Sequence, residues 1–432
     1  MQILKSTLIV LSSLLFVQCN NKDKPIVSKT YVDSLLTNYT TPIEITNNQK
    51  NIEFWKSRIQ KNGFDIVNEP RYASCLVGRF NLLGDIKDVK KADSILINLE
   101  KNFNNKEAGI YLTLVSNSIL QHHFKEANDY LQKAKAIGIR KSEDYAITFD
   151  VDFELGNIEN ATANLQKMKQ NNDFGYQFRK SKIAHYNGNL EQSITSMNKA
   201  REIAGDDFAG RNIALSNGGD LYTHAGKLDN AYSNYKESIK FNSADLHSIM
   251  GIGWIALRHD NNDALAKKIF EFVQTKTKSA EPLYKLILVA QHNKDTIAEA
   301  KYAKQYESMV TDSIYGKMYS KYLIQLYTQI LHNPAKAEII AKAELTNRAT
   351  SQTYSWYAYT LLINNKINEA NAIYKKYISG KPLEALELYY MGKLMEANKK
   401  GYNASEFYKA ANENYYDLSP SIARDLETKL KD

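Results

Sequence analysis

The sequence predicts an all-α chain wound as a solenoid of about ten helical hairpins. Three observations predict it. Small residues recur about every 34 positions; large apolar residues stand at fixed offsets from them; and only 7 prolines and 19 glycines interrupt 432 residues. With 43% hydrophobic residues and charges spread along the whole length, the chain can bury a sizeable core and reads as predominantly helical.

The first element is an address. One charge at Lys5 precedes an apolar run from Leu8 to Val17, broken by Ser12 and Ser13. The run is too short to span a bilayer, which takes about 20 apolar residues. It ends Leu15-Phe16-Val17-Gln18-Cys19, which resembles a lipobox, although Gln18 departs from the Gly, Ala or Ser usual before the cysteine. The resemblance implies a signal peptide over 1–18 and a lipidated Cys19 as the first mature residue. It also implies a place in a bacterial cell envelope, anchored by lipid at the outer membrane on its periplasmic or surface-exposed face. The Asn/Lys/Ile/Tyr-rich composition is similar to that of Bacteroidetes lipoproteins. Residues 19–47, polar and short of aromatics, are expected to form a tether. Residues 48–69, around Ile52, Trp55 and Ile59, are expected to cap the array at its N-terminus.

The array follows. The small residues are Ala92, Ala127, Ala161, Ser193, Ala231, Ala266, Ala300, Ala337, Ala370 and Ala404, at intervals of 32 to 38 residues. Three positions before them stand Val89, Phe124, Ile158, Leu190, Leu228, Ile297 and Ile367. Four positions after them stand Leu96, Leu131, Leu165, Met197, Tyr235, Phe270, Tyr374 and Tyr408. Twelve before, in several copies, is a second small residue: Ser181, Gly219, Ala358 and Gly392. Gly156, Gly188, Gly226 and Asn365 fall between the helices as turn residues. A small residue on each helix at the crossing lets the axes approach, and the large residues wedge into the next pair. One hairpin cannot bury its stripe alone, but a stack can.

These columns resemble the tetratricopeptide repeat, best over 213–245, 352–382 and 386–418. The resemblance covers about 70–418 and implies a right-handed α-solenoid, closed by a C-terminal capping helix over 419–432. Around Ala266, Ala300 and Ala337 insertions blur the register.

Motifs for chemistry are missing from the sequence. The eight histidines never stand three or four apart on one helix, and no phosphate loop, dinucleotide fingerprint or nucleophile elbow occurs. The chain is therefore expected to be no enzyme and to need no metal or cofactor. The net charge of +8 is scattered over helix faces, which argues against nucleic-acid binding. Cys75 reads as a small buried side chain.

In tetratricopeptide arrays the first helix of each pair lines the concave surface. Applied here, the register places Arg179, Lys182, His185 and Tyr186 there, followed by Ser216, Asn217 and Asp220. His247 and Trp254 come next, then Trp356 and Tyr359, and finally Tyr389, Tyr390 and Lys393. Aromatics and long cations in a groove suit a protein or peptide partner. The expectation is a membrane-anchored scaffold within a cell-envelope assembly or transport complex. The alternative is a glycan- or nutrient-capture lipoprotein of an outer-membrane uptake system.

Overall fold

The computed structural model describes residues 24–59, 65–104, 106–169, 173–398 and 404–431. Cys19 and the segment expected as a signal peptide lie outside the described residues. Two helices come first, α1 (Lys29–Thr37) and α2 (Ile43–Arg58). Ten antiparallel hairpins follow. The first four are α3 (Asn68–Leu83) with α4 (Ile86–Asn102), α5 (Ala108–Leu120) with α6 (Phe124–Ile137), α7 (Lys141–Leu155) with α8 (Ile158–Met168), and α9 (Phe174–Tyr186) with α10 (Leu190–Ala204). The next three are α11 (Phe208–His224) with α12 (Leu228–Phe241), α13 (Leu246–Arg258) with α14 (Asp263–Gln274), and α15 (Glu281–His292) with α16 (Thr296–Val310). The last three are α17 (Ser320–Gln329) with α18 (Pro334–Glu344), α19 (Ser351–Ile363) with α20 (Ile367–Ile373), and α21 (Ala385–Ala397) with α22 (Ala404–Glu413). The capping helix α23 (Pro420–Lys429) closes the array. Among the described residues there is no strand, and no helix is long and apolar enough to cross a membrane.

The crossings carry the small residues. Ala92, Ala127, Ala161, Ser193, Ala231, Ala266, Ala337 and Ala370 are fully buried. A Cβ on Gly219 would stand 2.3 Å from the Tyr235 ring, and one on Gly392 2.5 Å from the Tyr408 ring. These glycines exist so that a tyrosine can fill the crossing. Where serines meet instead, Ser181 and Ser193 donate to each other's carbonyls at 2.9 and 3.0 Å.

The seventh hairpin departs from the expected register. Ala303, not Ala300, is the fully buried small residue, and Ile297 is 83% exposed. Helix α16 starts nearly two turns before its crossing residue, whereas α12 and α14 start one turn before theirs. Ile297 and Ala300 therefore sit on an additional turn outside the crossing.

In all nine hairpins whose turn is described, the residue two before the second helix is left-handed. Gly84, Gly156, Gly188 and Gly226 take this conformation freely; His122, Asn261, Lys294, His332 and Asn365 take it with a side chain attached. The next residue caps the helix, as Asp85, Asn189, Asn262, Asp295 and Asn333 do through their side chains.

The coil then closes on itself. Thr277 Oγ1 and the Lys278 amide both donate to the Leu83 carbonyl, at 2.9 and 2.7 Å. Asn347 accepts from the Phe124 amide at 3.0 Å and donates to the His122 carbonyl at 2.8 Å. Asn414 donates to the His224 carbonyl and Trp254 to the Tyr416 carbonyl, both at 2.8 Å. Turns within hairpins thus pack on the loops between hairpins of the next coil, 190 to 225 residues along the chain.

The segment 24–47, expected as a tether, is largely docked. The Ile26 and Val27 amides donate to the two carboxylate oxygens of Asp260, each at 2.9 Å. Val27 and Val32 are buried, Tyr39 meets Phe272 edge-on, and Lys268 pairs with Asp33 at 2.8 Å. Apolar residues among the polar ones hold this strap across α12–α14. The stretch His259–Asp263 is accordingly more than a turn, because Asp260 is its socket.

Candidate functional site

The first helices of hairpins five to eight, with the start of α21 and the loop after α22, converge on the axis of the coil. There they enclose a cavity of about 340 Å³. The second helices contribute only Tyr235 and Tyr306 to its lining. First helices inside, second helices outside, and a small-on-large crossing at a period near 34 residues together settle the architecture. The fold is that of a tetratricopeptide-repeat array. Its inner wall is closed by the winding of the coil and is not the open groove that the sequence suggested.

Three charged couples stand around the cavity. His247 Nε2 lies 2.9 Å from Asp220 Oδ2, and Tyr235 donates to the same carboxylate at 2.7 Å. Asp220, with burial working against it, holds His247 up to about 9. His224 Nδ1 stands 2.6 Å from Asp417 Oδ1. Burial opposes the charge on His224, but Asp417 outweighs it and lifts the ring to about 9. Lys321 lies 3.7 Å from Glu384 and 3.6 Å from Glu387. Burial disfavours its charge, yet the two carboxylates hold its pKa above the ordinary range. Glu387 is fully buried, which raises its own pKa, and it accepts from Trp356 Nε1 at 2.6 Å.

Two further charged side chains stand outside these couples. Lys285 projects from α15 with its ammonium 4.0 Å above the Trp254 ring, and burial lowers its pKa. Glu281, one turn earlier on the same helix, is exposed. Tyr306, fully buried in the wall, has a hydroxyl with no hydrogen-bond partner among the described residues.

Of the residues that the sequence placed on the inner wall, Asp220, His247 and Trp254 line the cavity. His185 lies beside it, its ring 4.9 Å from that of His224, and burial lowers its pKa. Arg179 and Lys182 are spent on the neighbouring hairpin. They pair with Asp150 and Glu154, and Lys182 covers the Phe153 ring at 4.4 Å. Tyr186 packs edge-on against Phe153. Ser216 is buried and accepts from Ser248, and half-buried Asn217 donates to the Ile213 carbonyl of its own helix.

The aromatic residues of the last hairpins are a correction to the groove expectation. Trp356 is buried, and Tyr359 and Tyr390 are buried and stacked 3.8 Å apart. Tyr389 is buried and donates to Asp425 of the capping helix at 2.6 Å. Lys393 pairs with Asp425 at 3.4 Å. The capping helix and the closure of the coil cover this face, so these aromatic side chains build core, while Lys393 stays at its edge.

No family model and no curated protein matches the chain. Solved structures similar to it include Pseudomonas aeruginosa pilF, at 14% identity over 50% of this chain and 97% of that one, with a TM-score of 0.36. A tetratricopeptide repeat protein from Parabacteroides merdae is similar at 15% identity over 60% and 99%, TM-score 0.35. Yeast Tom70 is similar at 13% identity over 93% and 89%, TM-score 0.36. These likenesses are of general fold only.

Proposed function

We propose that the chain is a lipid-anchored scaffold of the bacterial cell envelope, at the outer membrane, which holds a protein partner and transforms nothing. The observation that carries this reading is the repeat solenoid itself, an architecture that trades a compact active centre for long continuous surface. The partner meets the rim of the axial opening, where His247, Glu281, Glu384 and Asp417 are exposed. An extended peptide threaded along the inner wall is not part of the proposal, because the couples described above occupy that wall.

The lipobox-like stretch that ends at Cys19 supports the anchoring half of this reading. Since the strap docks from Ile26 onward, six residues lie between Cys19 and the docked segment. A chain of that length reaches about 25 Å at full extension. The body would then lie close against the bilayer with α12–α14 nearest to it.

The test is photo-crosslinking in intact cells from a probe at His247, compared with a probe at Ile339 on an outer helix. A discrete protein adduct from the rim and none from Ile339 is the expected result. Absence of any protein adduct from the rim overturns the scaffold reading. Loss of membrane association in Cys19→Ser tests the anchor separately.

A further inference from the structure

The axial cavity has the composition of a small-molecule site. At about 340 Å³ it lies at the lower end of the volumes that hold small ligands, roughly 300–1,000 Å³. Much of its wall is apolar: Met250, Leu288, Tyr284, Tyr322 and Leu386 face it. The two histidine couples match charge for charge, and Lys321 is held between two carboxylates, Glu384 and Glu387. Two charges remain, the Lys285 ammonium and the Glu281 carboxylate, and neither side chain forms an ion pair or hydrogen bond among the described residues. The buried Tyr306 hydroxyl is likewise without a partner.

A buried, unmatched polar group costs free energy unless something compensates it, and that cost falls on the Tyr306 hydroxyl and on half-buried Lys285, while exposed Glu281 offers its carboxylate at the mouth. A ligand with a single charge would satisfy one of the two free groups and leave the other alone. A ligand with both charges satisfies both, and the apolar wall accommodates its body. We propose that this cavity binds a small zwitterion of the amino-acid class with an apolar side chain, its ammonium against Glu281 and its carboxylate against Lys285. The Tyr306 hydroxyl supplies a further hydrogen bond. The site lies inside the rim where a protein partner is proposed to sit, and the two readings stand or fall apart, because this one needs only the purified chain.

The experiment is calorimetric titration of the purified full chain with L-leucine, L-phenylalanine and L-tyrosine. For the tightest binder, the N-acetyl and carboxamide derivatives are titrated as well. The expected result is saturable one-to-one binding, weakened at least tenfold in each derivative and in each of Glu281→Gln and Lys285→Gln. Tyr306→Phe is expected to weaken it about threefold. Glu281 is exposed, so its variant keeps the test meaningful even where Lys285→Gln disturbs folding. Failure of all three amino acids to bind overturns the proposal. Equal binding of the derivatives, or binding unchanged in Glu281→Gln, overturns it too.

Discussion

The first four hairpins and the last six share one crossing geometry but bury their apolar residues differently. In the first four, the core breaks into small clusters, such as the one around Phe149, Ala161, Leu165, Met168 and Tyr176. Ion pairs between successive first helices, Arg179 with Asp150 and Lys182 with Glu154, complete the inner side. In the last six, two long clusters run without interruption, one from the N-terminal strap to Ala337 and one from Ile324 to Leu426. The comparison teaches that a repeat fixes the crossing and leaves open how far the core continues. That depends on what faces the axis. In the last six hairpins tyrosines and leucines join one hairpin's core to the next even though charged couples also face the axis there.

The largest expected effects break the comparison directly. Phe149 and Phe270 are both fully buried, and replacing either by Ala should cost about 3–5 kcal/mol. Stability in such arrays is nearly a sum of neighbour terms. Phe149→Ala should therefore split the thermal transition, with α3–α10 exchanging amide hydrogens first. Phe270→Ala should lower a single main transition. Calorimetry with hydrogen exchange reads both, and identical single transitions would mean that the coil unfolds as one unit.

Overpacking comes next. Ala161→Leu and Ala370→Leu each place a large side chain at a fully buried crossing, at an expected cost of about 1–3 kcal/mol. Ala404 is only half-buried, so Ala404→Leu should cost less than half of either. Melting temperatures of the three variants test the ranking.

These substitutions also mark what the sequence carried. Period, crossing residues and turns were legible, because sterics at the crossing leave few residue types that fit. The register slipped at Ala300 because one extra turn of α16 preserves the helical pattern while moving the crossing. Closure of the coil was not legible at all. Its contacts are made by single asparagines, Asn347 and Asn414, on backbone groups about 200 residues away, and such contacts leave no periodic trace. For the site, the register delivered Asp220, His247 and Trp254. It missed Glu281, Lys285 and Lys321, which lie on α15 and α17, where insertions blur it. The strap was missed because Val27 and Val32 are too few to outweigh a polar composition.

A smaller effect separates the contacts between coils by pH. His122, in the turn of the second hairpin, is held down to about 4 by burial and then by Arg348, so it folds neutral. Its contribution is present above the unfolded value near 6.5 and is lost as pH falls from there toward 4. His224, on the contact to Asp417, is raised to about 9. Its contribution is full below about 6.5 and is lost as pH climbs through 9. Each effect should be on the order of 1 kcal/mol after solvent screening of the partly exposed rings. Acid should loosen the early contact and alkali the late one. His122→Phe should shrink the acid limb alone, and His224→Phe the alkaline limb alone, in melting curves recorded from pH 4 to pH 10, with His185 and His247 keeping the remainder of each.

The smallest effect concerns the turns, which both regions share. Lys294 holds a left-handed conformation at φ 58°, and its side chain is exposed and makes no hydrogen bond among the described residues. A side chain in that conformation costs about 1–2 kcal/mol, which glycine avoids. Glycine in turn loosens the unfolded chain by about 0.4–1 kcal/mol. Lys294→Gly should therefore stabilise the fold by about 0.5 kcal/mol, readable as a rise of a degree or so in melting temperature. His122→Gly faces the same two backbone terms but also strips the ring from the contact that Asn347 and Arg348 make with its turn. Its net effect should be destabilising. Opposite signs at two turns of one geometry would show that the left-handed residue is a shared demand of the repeat, while its side chain answers to the winding of the coil. Equal signs would mean that His122 contributes nothing to that winding.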